Sequence, residues 1–129
     1  MKSFYKIVFI IVIFMFANKQ IAQEKYVEYL NVISSSLPDV YLNSNENLFF
    51  SIQVAAYKNK NNSLEKVNNI VITKENDNVF RYRLGKFPTY DEALEFKRII
   101  LSVCNDAFIV PIKNGERIHI KDALDDTSI

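Results

Sequence analysis

The stretch VFRYRLGKF, residues 79–87, decides the fold because its side chains alternate between two kinds. Aromatic and aliphatic side chains occupy every second position: Phe80, Tyr82 and Leu84. The positions between them form a second row: Val79, Arg81 and Arg83. Period-two alternation with aromatic residues is typical of a β-strand. The stretch therefore predicts a strand with an apolar row in a core and two guanidinium groups on an open face.

A second stretch with the same alternation lies upstream, FFSIQVAAY at residues 49–57. One of its rows is apolar: Phe50, Ile52 and Val54. The other row is mixed: Phe49, Ser51 and Gln53. The two stretches together predict one sheet with one face in a core and one face uncovered. Taken alone, each is also an ordinary strand with a solvated polar face, where charged side chains usually lie.

Two helices follow from shorter signals. The segment TYDE, residues 89–92, predicts a capping box in which Thr89 accepts a backbone hydrogen bond and Glu92 reaches back. The helix that it opens has apolar residues at helical spacing: Ala93, Phe96, Ile100 and Val103. A shorter helix over residues 64–67, capped by Ser63, is expected between the first two strands.

The remaining strands are short apolar runs at residues 70–72 and 107–112. The NG pair at residues 114–115 is a strong hairpin signal. It predicts a closing strand at residues 117–120, followed by a helical turn near Ala123.

The order of these elements is strand, helix, strand, strand, helix, strand, then a hairpin. This order predicts an α+β fold, a βαββαβ split β-α-β (ferredoxin- or RNP-like) sandwich. Two helices cover one face of its antiparallel sheet, and the hairpin adds a C-terminal strand. The first and third strands are neighbours in such a sheet, so their second rows share the uncovered face: Ser51, Gln53, Val79, Arg81 and Arg83. Polar donors at the centre of an uncovered sheet predict a shallow binding groove.

The N-terminus has the layout of a secretory signal peptide. Lys2 and Lys6 precede an apolar run at residues 7–17, and the small residue Ala22 lies near a cleavage point. The run is too short to span a membrane. We therefore expect residues 1–22 to be removed on export to the periplasm, with an uncleaved anchor as the alternative. Their removal lowers the basic residues from 16 to 13, against 15 acidic ones.

Residues 23–47 are interpreted as a linker or a short helix. Apolar residues fall there at helical spacing: Val27, Leu30 and Ile33. Three serines and Pro38 then end the pattern. The folded domain is expected at residues 48–124, with a short tail at 125–129.

Composition excludes several function classes. A single His and a single Cys exclude a Cys/His zinc site and a Cys-x-x-Cys redox pair, and two glycines leave no glycine-rich phosphate loop. Cys104 has apolar neighbours and is predicted to be buried. No nucleophile–base pair is recognisable, so we expect no enzyme, no cofactor and no metal. Nucleic acid is not an expected partner, because an acidic exported chain lacks phosphate-neutralising charge.

Several segments in order resemble a SPOR (sporulation-related repeat) domain: SIQVAAY at 51–57, FRYRLGKF at 80–87, DEA at 91–93, AFIV at 107–110 and NGERI at 114–118. The resemblance covers residues 48–124 and is nearest to the single-domain type exported by Bacteroidetes. It implies a βαββαβ fold that binds peptidoglycan in the bacterial envelope. It also implies a preference for glycan strands stripped of stem peptides, which are enriched where septal wall is remodelled in cell division.

Carried onto this chain, the resemblance matches Gln53 to the first-strand glutamine of the family, Arg81 to its third-strand arginine and Gly85 to the glycine that follows. The glycan-binding residues that it implies lie on the open face: Ser51, Gln53, Ala56, Val79, Arg81 and Arg83. Glutamine both donates and accepts, and arginine presents a planar fork of donors, which suits hydroxyl and acetamido groups.

The chain departs from the family pattern at three places. Ala55 stands where glycine is usual, Tyr82 stands where valine is usual, and residues 58–69 are short for a first helix with its loop. These departures keep a second hypothesis open, a protein–protein interaction module of the envelope that keeps the fold without binding glycan. The expected partners are therefore glycan strands, or envelope and division proteins. Membrane contact is expected only through an uncleaved signal segment.

Overall fold

The computed structural model describes residues 25–127. The expected signal peptide at residues 1–22 lies outside them. Within the described range, no helix is long and apolar enough to cross a membrane. The chain has α+β structure built on one antiparallel sheet, which confirms the fold class at that level.

Five strands form the sheet, in the order β2-β3-β1-β4-β5. Their bounds are β1 Leu48–Tyr57, β2 Val71–Lys74, β3 Phe80–Phe87, β4 Phe108–Lys113 and β5 Glu116–Arg117. Every neighbouring pair is antiparallel, and β1 lies between β3 and β4. Val79 precedes β3 rather than opening it, and the closing strand is shorter than predicted. Asn114 and Gly115 both have positive φ, as a two-residue hairpin turn requires.

Four helices and one 3-10 turn complete the described chain: α1 at residues 25–35, the turn Asp39–Tyr41, α2 Asn62–Glu65, α3 Tyr90–Ile100 and α4 Ile120–Thr127. The hydroxyl of Thr89 caps α3 by accepting the N–H of Glu92 at 3.2 Å. The other half of the predicted capping box is absent here, because the carboxylate of Glu92 accepts from the Thr89 hydroxyl at 2.8 Å instead. Asn61, not Ser63, caps α2, since its Oδ1 accepts the N–H groups of Ser63 and Leu64.

One apolar core lies between the sheet and the helices. The sheet contributes the rows predicted from alternation: Phe50, Ile52, Val54, Tyr82 and Leu84. The helices contribute Leu30, Leu64, Ala93 and Ile100. Cys104 is buried, as predicted, and its thiol donates to the carbonyl oxygen of Val54 at 3.3 Å. Burial of each large apolar side chain stabilises the fold by about 1.5–3 kcal/mol, so this cluster is its main source of stability.

The strand β3 bends at Gly85. This residue has a φ of +78°, in the left-handed region that side chains disfavour. A Cβ atom at Gly85 would also overlap the ring of Phe87. The register between β1 and β3 shifts at this point, and Phe87 then pairs with Phe50. The glycine therefore lets the strand return an aromatic ring to the core face.

The helix α1 packs against the domain. Its Leu30 and Ser34 are fully buried. The Oδ1 of Asn31 accepts the N–H of Asn68 at 2.7 Å, which joins α1 to the loop after the short α2. Of the two interpretations left open for residues 23–47, the structure has the helix, and its side chains belong to the core.

The 3-10 turn extends this packing towards α3. The ring of Tyr41 lies 4.6 Å from that of Phe87, centroid to centroid. Its hydroxyl donates to Glu92 at 3.1 Å. Residues on both sides of Pro38 therefore contact the folded domain.

Candidate functional site

The face of the sheet opposite the core brings the predicted site residues together. The register of β1 and β3 pairs Gln53 with Arg83 and Ala56 with Arg81. Thr73 of the edge strand β2 lies opposite Arg81. The two arginines and the glutamine are thus neighbours, as the alternation predicted.

Arg83 is held by three side chains. Its Nε donates to Oε1 of Gln53 at 3.2 Å, and its Nη2 donates to Glu75 at 2.9 Å. Its Nη1 donates to the hydroxyl of Thr73 at 3.3 Å. Burial lowers the pKa of the Arg83 guanidinium and Glu75 opposes that effect, but arginine starts so far above neutrality that it stays charged.

Arg81 forms a bidentate pair with the turn between β2 and β3. Its two terminal nitrogens lie 3.0 and 2.6 Å from the carboxylate oxygens of Asp77. Its Nη1 also lies 3.3 Å from Glu75, so one carboxylate bridges both arginines. The hydrogen bonds that Arg81 donates to Asp77 are the main reason that the pKa of Arg81 is raised.

This network changes the exposure expected of the site. The sequence predicts guanidinium groups on an open face, but the side chains of Arg81 and Arg83 are only 10% and 7% exposed. Gln53 is also buried. The acidic turn that carries Glu75 and Asp77 lies against the two arginines. Buried charges require such partners, because an unpaired charge loses its hydration.

The carboxylate of Asp77 gives the network an acid-dependent component. Hydrogen bonding from Arg81 lowers the pKa of Asp77 to about 2, well below its unfolded value near 4. A carboxylate with a depressed folded pKa stabilises the fold above its unfolded pKa and loses that effect as the pH falls through its folded pKa. We expect Asp77→Asn to lose less stability than the wild type between about pH 4 and pH 2.

Urea denaturation at several pH values measures this difference. Asp39→Asn is the matched control, because Asp39 is exposed and pairs with no arginine in the described chain. It should follow the wild-type profile. Identical profiles for Asp77→Asn and the wild type would contradict the pairing.

A shallow groove of about 260 Å³ lies where β1 ends and β4 begins. Tyr57 and Phe108 line it, with 44% and 45% of their surfaces exposed, and Ala56 and Asp106 also belong to the lining. Gln53 also lines the groove. Its oxygen faces Arg83, and its amide nitrogen has no partner in residues 25–127 yet is not sealed from solvent. The groove therefore combines two exposed aromatic residues with the amide residue Gln53 and the acidic residue Asp106.

A larger polar cleft of about 630 Å³ lies between the β2–β3 turn and the β4–β5 hairpin. Its lining includes Thr73 from β2, Glu75 and Asp77 from the turn, Arg83 from β3, and Glu116 and Arg117 from the hairpin. The acidic turn is therefore at once the partner of the arginines and part of the wall of this cleft.

Two predicted site residues have structural contacts instead. The hydroxyl of Ser51 is buried and donates to the carbonyl oxygen of Leu84 at 3.2 Å, which links β1 to β3. The N–H of Val79 donates to Asp77 at 3.1 Å and helps to shape the turn. Neither side chain adds a free polar group to the groove.

Among the described residues, no cluster of three or more His, Cys, Asp or Glu side chains could hold a metal ion. His119 is exposed, and its Nδ1 accepts the N–H of Lys121 at 3.1 Å. Comparison with family models, with curated proteins and with solved structures found no match to this chain.

Sequence reasoning missed the acidic partners of the arginines. Glu75 and Asp77 belong to the polar stretch ENDN at residues 75–78, whose composition indicates only a turn. The usable signal was their distance along the chain, because a carboxylate in a hairpin turn lies within reach of the strand that follows. The aromatic walls of the groove, Tyr57 and Phe108, carried no such signal, since both belong to otherwise ordinary strand patterns.

Proposed function

We propose that this chain is a non-catalytic carbohydrate-binding module of the bacterial cell envelope. More specifically, we propose a SPOR-like domain, exported to the periplasm, that binds the glycan strands of peptidoglycan. The fold proposed with it is a split β-α-β sandwich in which α1 supplements the shortened α2. The burial of Leu30 and the hydrogen bond between Asn31 and Asn68 support that description.

The observation that carries the proposal is the setting of Gln53. Arginine only donates hydrogen bonds, so the contact from Arg83 fixes the glutamine oxygen and directs the NH₂ group away from it. Gln53 is one of the residues that line the shallow groove, together with the exposed residues Tyr57 and Phe108. A pyranose has an apolar C–H face that packs on an aromatic ring and equatorial hydroxyls that accept from an amide.

Each predicted residue then has a defined part. Gln53 donates to the sugar, and Arg83 is the positioning residue that orients it. Ala56 lines the groove without blocking it, because its side chain is small. Arg81 holds the acidic turn through Asp77. A groove this shallow is expected to bind at micromolar affinity or more weakly, equivalent to about 8 kcal/mol or less.

Sedimentation with purified sacculi, before and after amidase removal of stem peptides, tests this function. The wild type should sediment with the stripped preparation. Phe108→Ala should bind about fivefold more weakly, the equivalent of about 1 kcal/mol for one ring contact. Tyr29→Ala is the control, because Tyr29 is also an exposed aromatic residue, 57% accessible, but lies on α1. No sedimentation with either preparation would reject glycan binding.

A protein–protein interaction module of the envelope is the second candidate. The observation that favours it is the pairing of both arginines with Glu75, and of Arg81 also with Asp77, which leaves fewer donors for sugar hydroxyls. The exposed rings of Tyr57 and Phe108 would then contact a protein side chain. Crosslinking in cells that recovers an envelope or division protein at Phe108, without retention on sacculi, distinguishes this candidate from the first.

A further inference from the structure

Asp106 lines the shallow groove but is not among the residues that the sequence predicts for the site. It lies in the turn before β4 and is exposed. The aromatic residues Tyr57 and Phe108 line the groove with it. No ion pair joins Asp106 to a cationic side chain within residues 25–127. Its carboxylate is therefore available to a ligand that enters the groove.

The charge of the groove is negative. Among the described residues, Asp106 is the only charged one in the lining. Lys58 follows Tyr57 in the chain but does not belong to the lining. Arg83 contacts Gln53 without lining the groove, and its guanidinium is already paired with Glu75. The charge nearest to a ligand in the groove is thus a carboxylate, which favours a cation.

Aromatic residues surround this carboxylate. Tyr57 and Phe108 are nearly half exposed, and the face of an aromatic ring attracts a cation through its quadrupole. Tyr26 of α1 lies close as well: burial is the main cause of its raised pKa, and Cys104, Tyr57 and Asp106 add to the effect. Aromatic rings grouped at one site are the usual means by which proteins bind organic ammonium ions, and here a carboxylate accompanies them.

The ligands present in the groove suit an organic cation better than a metal ion. Calcium takes six to eight oxygen ligands, and magnesium requires an octahedral set. The groove offers the carboxylate of Asp106, while the side-chain oxygen of Gln53 is engaged by Arg83. An ammonium group needs only one carboxylate as its ionic partner and can use the aromatic residues for its remaining contacts.

We propose that the shallow groove binds a primary ammonium group, with Asp106 as its ionic partner and Tyr57 and Phe108 as its aromatic contacts. This inference rests on the proposed function and deepens it, because a cell wall offers such groups at two places. A glucosamine unit without its acetyl group has an ammonium on the sugar ring, and a diamino acid of a stem peptide has one on its side chain. An N-acetylated sugar offers only a neutral amide.

Three soluble probes test this inference and separate the two sources: a hexamer of glucosamine, a hexamer of N-acetylglucosamine, and Nα-acetyl-lysine amide. Each is titrated into the wild type, Asp106→Asn and Asp39→Asn, and binding is followed by the NMR shifts of the backbone amides of residues 106 and 108. The wild type should bind the glucosamine hexamer about fivefold more tightly than the N-acetylated one. Asp106→Asn keeps the shape of the side chain but should lose this preference. Asp39→Asn removes the same charge from the 3-10 turn and should keep the preference.

Binding of the lysine probe that Asp106→Asn weakens, without a preference between the hexamers, would support the ammonium site and assign it to a stem-peptide side chain. Equal binding of the two hexamers without binding of the lysine probe would overturn this inference, while sedimentation with sacculi would still report glycan binding. Equal losses in Asp106→Asn and Asp39→Asn would attribute the effect to net charge and also overturn it. Failure of the wild type to sediment with sacculi and to bind any probe would reject the proposed function as well.

Discussion

Leu30→Ala is expected to lower the free energy of unfolding by about 2–5 kcal/mol. Leu30 is fully buried and belongs to the same core as Leu64 of α2 and Tyr82 of β3. Truncation removes its transfer free energy and leaves a cavity that a packed core cannot fully close. Urea denaturation should show an earlier midpoint with an unchanged slope, since the surface exposed on unfolding is nearly the same.

Val32→Ala is the matched control for this prediction. Val32 lies on the same helix but is 65% exposed, so its truncation should change stability by about 0.5 kcal/mol or less. Both substitutions introduce the residue with the best helix propensity, so neither should destabilise α1 by lowering its helix propensity. Equal stability of the two variants would mean that α1 does not belong to the core and that the domain starts at β1.

The packing of α1 explains why the sequence alone did not decide between a linker and a short helix for residues 23–47. The spacing of Val27, Leu30 and Ile33 is that of an amphipathic helix. A helix of this length is marginal in water by itself, so its formation depends on a surface to pack against. That surface exists because α2 has only four residues, and no local pattern in residues 23–47 reports it.

The two central strands of the sheet, in contrast to α1, could be predicted from a local pattern. Alternation along β1 and β3 is a local property, and a shift of one residue would move every apolar side chain to the wrong face. The rows led by Phe50 and Tyr82 are therefore buried as predicted. The exposure of Arg81 and Arg83 could not be predicted from alternation, because it depends on the position of the Glu75 carboxylate. Two strands with correct faces still do not determine what covers the polar one.

Glu75→Gln is expected to lower the free energy of unfolding by about 1–3 kcal/mol. The carboxylate of Glu75 lies 2.9 Å from Arg83 and 3.3 Å from Arg81, whose side chains are 7% and 10% exposed. Glutamine keeps the shape and one hydrogen bond but removes the charge that two buried guanidinium groups share. The effect stays below that of a fully buried pair because the side chain of Glu75 is 32% exposed and partly hydrated.

Glu116→Gln provides the control, because Glu116 is an exposed carboxylate on the opposite wall of the cleft. The Glu116→Gln substitution should change the free energy of unfolding by about 0.5 kcal/mol or less. Arg83→Met should lower the free energy of unfolding by less in the Glu75→Gln variant than in the wild type. In that variant the substitution also removes a buried charge that has lost its partner. A Glu75→Gln variant as stable as Glu116→Gln would contradict the shared network.

Because Arg83 also fixes the oxygen of Gln53, Arg83→Met should weaken sedimentation with stripped sacculi even in variants that remain folded.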